Sequence, residues 1–215
     1  MEDVLDVYAQ PPDAQRPVVC FDEASVQLVA DSRTPVPVAP GRPARVDYEY
    51  ERRGTANLFV HFDAARGWRH VKLTQTRTAA DFAQCMREVV DVHYPKARTI
   101  RLVLDSLSTH SEAALYQSLP AAEARRVLSR IEWHYTPKHA SWRHQVEIEI
   151  GVLRQQCLDR RIATREALDA EVHAWARARN AERATIRWHF TCQRARQKMA
   201  HAYPNIPPEP AAQAA

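Results

Sequence analysis

The chain has 215 residues and a mass of 24.6 kDa, with 30 Lys and Arg against 26 Asp and Glu, a formal net charge of +4 and a pI near 9.0. That length allows one ordinary domain with a sizeable core, and the mild basicity suits a polyanionic partner. The composition speaks against a membrane span, a signal peptide, a Gly-rich phosphate loop and a C-x-x-C zinc pair, since Cys20, Cys85, Cys157 and Cys192 are scattered. Reduced thiols and a cytoplasmic location are the expectation. Arg is much commoner than Lys, which either favours phosphate forks or reflects coding bias.

In chain order, residues 1–16 hold a short helical pattern, VLDVYA, then PPDAQRP, and read as a linker into the first strand. Val18–Asp22 is the first core strand, and Ser25–Ala30 is a segment able to pair beside it. Residues 35–43 carry four prolines and a glycine and predict a loop or arm. Asn57–Asp63 and Gly67–Thr74 form a strand–turn–strand pattern, with Gly67 available for a special backbone angle. Thr78–His93 is a helix with Phe82, Met86, Val89 and Val90 on one face, closed by Pro95.

Ile100–Asp105 is a short apolar run, interrupted only by Arg101, that predicts a buried strand. Helices follow at Ser111–Ser118 and Ala121–Arg130, then a strand at Ile131–Tyr135 stopped by Pro137. Helices over Glu147–Asp159, Thr164–Arg179 and Gln193–Ala202 complete the pattern. Residues 205–215 are rich in Pro and Ala and are expected to be a disordered tail. Periodicity alone gives an α/β or α+β class.

Two of these strands end in an acid, Asp22 and Asp105. A third acid, Glu147, opens a helix, with Glu149 as its rival. Two residues apart on a helix, the glutamates point to different sides. Glu23 is expected on the opposite face of its strand from Asp22. Two strand-borne aspartates and a helix-borne glutamate are what a two-metal phosphoryl-transfer site requires, because hard carboxylate oxygens bind Mg²⁺.

The words VCFDE, PGRPARVDYEYERRGTANLF, GWRHV, LVLDSLSTH, HYTPKHASW, VEIEIGVLRQQCLDRRI and a closing AYP occur in this order. On them, the chain resembles the catalytic domain of DDE transposases of the mariner superfamily, in the bacterial insertion-sequence branch called six-thirty, over roughly residues 16–204. The resemblance implies an RNase H-like mixed sheet flanked by helices, with the endonuclease domain at residues 17–204. It implies Asp22, Asp105 and Glu147 as the catalytic, metal-binding acids. In that scheme one Mg²⁺ or Mn²⁺ ion is shared by Asp22 and Asp105, and a second by Asp22 and Glu147. The implied activity is DNA strand cleavage at element ends and strand transfer into target DNA, with a homodimer on DNA.

The chain departs from the family at three places. Ser106 and Ser108 stand where relatives have Asn in the second-acid motif, and His144 stands where they have Asn before the third acid. An Asn amide donates and accepts at once, which Ser does only in part. His144 is expected at the surface rather than on a metal. No helix-turn-helix precedes the first strand, so Met1 reads as a late start. A second reading follows: a truncated, non-mobilising remnant that binds DNA weakly or inhibits full-length transposase. A resolvase-like nuclease is a third.

Arg52, Arg53, His110, Lys138, His139 and Trp142 are candidate DNA contacts. They offer phosphate partners, a stacking surface and a group near the Asp105 strand. Each has a plainer alternative: an exposed edge strand for the arginines, a loop or cap for His110, a core anchor for Trp142. The later basic residues Arg154, Arg160, Arg161, Arg194, Arg196 and Lys198 read first as a solvated face.

Overall fold

The computed structural model describes residues 1–45, 47–137 and 144–200. Its centre is a mixed five-stranded sheet in the order β3-β2-β1-β4-β5. The strands are β1 (Val18–Asp31), β2 (Tyr50–Asp63), β3 (Trp68–Thr74), β4 (Ile100–Leu104) and β5 (Ile131–Tyr135). β1, β2 and β3 run antiparallel, whereas β1, β4 and β5 run parallel. Every residue of β4 is buried, which is why its sequence is a continuous apolar run rather than an alternation. Arg101, its one charge, donates to the Arg16 carbonyl from Nε (3.0 Å) and Nη2 (2.6 Å), and also to the Gln10 side chain.

One face of the sheet packs Val19, Phe21, Phe59, Leu102 and Leu104 against Phe82, Met86, Leu115 and Val127. The last four come from α2 (Ala79–Glu88), α3 (Glu112–Ser118) and α4 (Ala121–Leu128). The other face packs Cys20, Leu58, Val60, Phe62 and Val103 against Val146, Ile150, Leu153, Leu168 and Val172. Those belong to α5 (Gln145–Leu153) and α6 (Arg165–Ala181). α2 begins with a reciprocal cap: the Thr78 side chain accepts from the Asp81 N–H, and Asp81 accepts from Thr78. It then widens into a π-helical turn over Val89–His93, as α5 does over Arg154–Leu158. Among the described residues no helix is long and apolar enough to cross a membrane.

Several sequence expectations are corrected. Residues 2–9 are not a linker: they form α1 (Glu2–Ala9), whose Val4 and Val7 join the second core layer. α1 packs near α7 (Cys192–Lys198) and β5. Val18–Asp22 and Ser25–Ala30 are one 14-residue strand. β2 starts seven residues before the expected Asn57, at Tyr50. The outer halves of β1 and β2 therefore pair with each other as a ribbon, Gln27 opposite Thr55 and Asp31 opposite Tyr50. Polar composition hid these halves, because residues 50–55 are exposed and need no apolar alternation. Gly67 does take a left-handed angle, φ 60°, in the β2–β3 turn. The tail at 205–215 lies outside the described residues.

Candidate active site

β1 and β4 pair from Val18–Arg101 to Cys20–Val103 and then cease to pair. Asp22 follows two residues later on β1, and Asp105 directly follows β4. Both therefore flank the opening at the carboxyl ends of parallel strands, where open α/β sheets place ligand sites. The next β1 carbonyl, that of Phe21, is taken by His144, whose Nε2 donates to it at 2.8 Å. A residue at a helix N-cap ordinarily caps its own helix. His144 makes no such bond and ties α5 to β1 instead. The expectation of a surface histidine is thus corrected: His144 is fully buried.

With α5 anchored there, Glu147 lies in its first turn and is half-buried. Asp22 shares the face of β1 that carries Cys20, against which Val146 and Ile150 pack. The charges of Asp105 and Glu147 both act on Asp22. Glu149 goes elsewhere: it is fully buried and paired with Arg69 (Nε, 2.9 Å) and Arg179 (Nε, 2.9 Å; Nη2, 3.1 Å). The two glutamates thus part as helical spacing requires, and Glu147 is the one whose charge acts on Asp22.

The electrostatics follow from burial and neighbours. Burial pushes the Asp22 carboxyl up to about 7; the Glu23 N–H bond to it opposes this, and repulsion from Asp105 and Glu147 adds to it. Asp105 goes the other way: burial alone would raise it, but the hydrogen bond and charge of His110 hold it below the usual range. His110 is raised to about 9: burial works against its charge, but bonds to Asp105 and then Glu23 prevail. Burial lowers His144 to about 4, so it is neutral, against the pull of its bond to Phe21.

His110, a candidate DNA contact from the sequence, lies in the interior. Its side chain is buried, with Nδ1 2.5 Å from Asp105 Oδ1 and Nε2 3.0 Å from Glu23 Oε1. Glu23 lies on the opposite face of β1 from Asp22, as alternation predicts, and nothing in the linear spacing announced its link to His110. Ser106 donates to the Thr136 carbonyl at 3.2 Å and pins its loop to the end of β5. Arg52 and Arg53 are exposed on the β1–β2 ribbon, with Arg53 2.6 Å from Glu51. Lys138, His139 and Trp142 lie outside the described residues. His134, on β5, is buried against Asp3 (2.9 Å) and Glu132 (3.2 Å).

Three of the later basic residues serve the fold. Arg161 donates to Asp31 and to the Glu49 and Asp47 carbonyls, holding the base of the ribbon. Arg160 pairs with Glu171, and Arg196 with Glu2.

Among the described residues no three His, Cys, Asp or Glu side chains form a ready-made cage for an ion. Mg²⁺ does not require one: it is commonly bound through one or two carboxylates, with water and substrate phosphate oxygens completing its shell. The all-oxygen donor set and the repulsion of Asp22 by Asp105 and Glu147 fit a hard divalent cation.

The sheet order, with helices on both faces, is the RNase H-like fold. A sequence profile of the family described as DDE superfamily endonuclease matches residues 17–169. The chain belongs to that family. Among solved structures it is similar to the Mos1 mariner paired end complex with Mn, at 19% identity and a TM-score of 0.56, over 84% of this chain and 53% of that one. The same complex with Mg gives 18%, 0.53, and 81% and 52%. The catalytic domain of Mos1 mariner transposase gives 14%, 0.50, and 81% and 76%. At these identities the likeness is one of fold, and the chain spans about half the length of the first two. A search of curated protein sequences finds no match.

Proposed function

We propose that this chain is the catalytic domain of a transposase, a divalent-metal-dependent DNA endonuclease and strand transferase acting on element ends and target DNA. One observation carries the reading most: in a chain of the DDE endonuclease family, Asp22 lies on β1 just past its pairing with β4, Asp105 directly follows β4, and Asp105 and Glu147 of α5 both act on Asp22. Asp22, Asp105 and Glu147 would hold the ions, as they are the acids so placed. Mg²⁺ or Mn²⁺, when bound, supplies Lewis acidity for the attacking and leaving oxygens of a phosphodiester.

The chain's own residues do the rest. Asp22 is the acid whose charge both of the others oppose, so it would serve both ions. β1 and β4 fix the two aspartates on adjacent parallel strands, and the His144 bond fixes the start of α5 against β1. Holding reacting groups in place in this way converts binding energy into rate. DNA reaches the same edge, with Arg52 and Arg53 on the exposed ribbon as backbone contacts, and two copies act on paired ends.

Plasmid nicking in Mg²⁺ or Mn²⁺ tests the reading. The wild-type chain is expected to nick, and Asp105→Asn to nick on the order of a thousandfold more slowly. An Asp105→Asn protein that nicks as fast as wild type excludes the scheme.

A further inference from the structure

Resting on the endonuclease reading, we infer that Glu23 and His110 form a buried strut whose task is to position Asp105 for its ion. The strut spans the place where the β1–β4 ladder has ended. Glu23 is on β1, Asp105 directly follows β4, and the imidazole bridges them, with one ring nitrogen on each carboxylate. His110 and the Leu107 N–H, at 3.3 Å, both bond to the same Asp105 oxygen, Oδ1. The clamp therefore uses one carboxylate oxygen and fixes the side chain's rotation.

The imidazole is itself held from several sides. Phe21 and Phe82 pack against it with ring centroids 5.3 and 4.9 Å away. The Tyr135 hydroxyl donates to the His110 carbonyl at 3.0 Å. Stability alone does not explain such an arrangement. A buried set of charges is often no more stable than apolar side chains of the same volume, and Phe21 and Phe82 already form an apolar layer here. A carboxylate bound to an imidazole that is bound to a metal-ligating carboxylate is how supporting groups orient a ligand and tune its basicity. Glu23 and His110 are positioning residues in this sense and touch no substrate.

The test compares Mn²⁺ binding by the wild-type chain, His110→Asn, Glu23→Gln and Asp105→Asn, by electron paramagnetic resonance of free Mn²⁺, with a thermal melt of each. Glu23→Gln keeps shape and an acceptor oxygen, so it reads the strut even where His110→Asn fails to fold. We expect Mn²⁺ affinity to fall about 10–100-fold in both strut variants. Nicking should fall in parallel, and excess Mn²⁺ should partly restore it in Glu23→Gln. A folded Glu23→Gln protein that binds Mn²⁺ as tightly as wild type overturns the strut and leaves the endonuclease reading standing. A wild-type chain that does not bind Mn²⁺ overturns both.

Discussion

Helix α5 carries two glutamates two residues apart, in opposite surroundings. Glu149 is sealed between Arg69 and Arg179, and its charge is answered within the protein. Glu147 and Asp105 both act on Asp22 with like charge, and His110 lowers Asp22 and Asp105 from the other side. A buried acid with its own cations is a structural joint, complete as it stands. A half-buried group of acids that oppose one another is incomplete and calls for a cation from solution. Mutation should therefore do opposite things in the two places.

The largest effect is expected on chemistry. Asp105→Asn or Glu147→Gln removes an ion ligand worth several kcal/mol of transition-state stabilisation, so nicking should fall on the order of a thousandfold. Thermal melts of the same proteins should shift much less than that of Glu149→Ala, because repulsion on Asp22 is relieved, although Asp105→Asn also gives up its bond to His110. Glu149→Ala should do the reverse. It leaves two arginines facing each other in the core, and breaking a buried pair costs about 3–5 kcal/mol. Urea unfolding would reveal it, and an unchanged midpoint would break the contrast.

A smaller loss is expected for His144→Ala, which leaves the Phe21 carbonyl without its donor at a cost of about 1–3 kcal/mol. It should also loosen α5 and raise the metal concentration needed for nicking.

Two sets of histidines give stability opposite pH dependences. His61, His70 and His144 are held neutral by burial, with His70 and His144 lowered to about 4 from 6.5. The unfolded chain then binds more protons between those values, so their contribution is lost as pH falls from 6.5 toward 4. His110, raised to about 9, contributes fully below 6.5 and loses its contribution as pH rises through 9. Denaturant melts across pH 4.5–9.5 should show both flanks, and His110→Asn should flatten only the alkaline one.

The smallest effect is at the ribbon. Arg52→Ala and Arg53→Ala should leave stability within about 0.5 kcal/mol of wild type. Each should make the salt dependence of DNA binding shallower by about one unit of slope. Filter binding across salt concentrations checks this, and an unchanged slope removes the ribbon from the DNA path.

What could be read before the structure followed from periodicity and strand ends. The run Ile100–Leu104 announced a central strand because it is buried on both faces. Asp22 and Asp105 were legible because an acid that ends such a run stands at the sheet's edge. The outer halves of β1 and β2 were not legible, since an exposed ribbon pairs through its backbone and leaves no apolar signature. The helical pattern of α1 was visible, but not its packing, because eight residues carry too few turns to separate a packed helix from a linker. The burial of His110 and His144 was hidden for another reason: each is set by a partner far along the chain, Glu23 in one case and the Phe21 carbonyl in the other. Residue type alone placed His144 at the surface and left His110 as a DNA contact or a loop or cap residue.

The central claim is that the three acids share divalent ions at the split between β1 and β4. Anomalous diffraction from a Mn²⁺-soaked crystal tests it most directly. The account predicts a Mn²⁺ peak bonded to carboxylate oxygens of Asp22 and Asp105, at about 2.1 Å for a small hard cation, with Glu147 facing the same opening. A peak elsewhere, or an opening that stays without Mn²⁺ at saturating concentration, contradicts it.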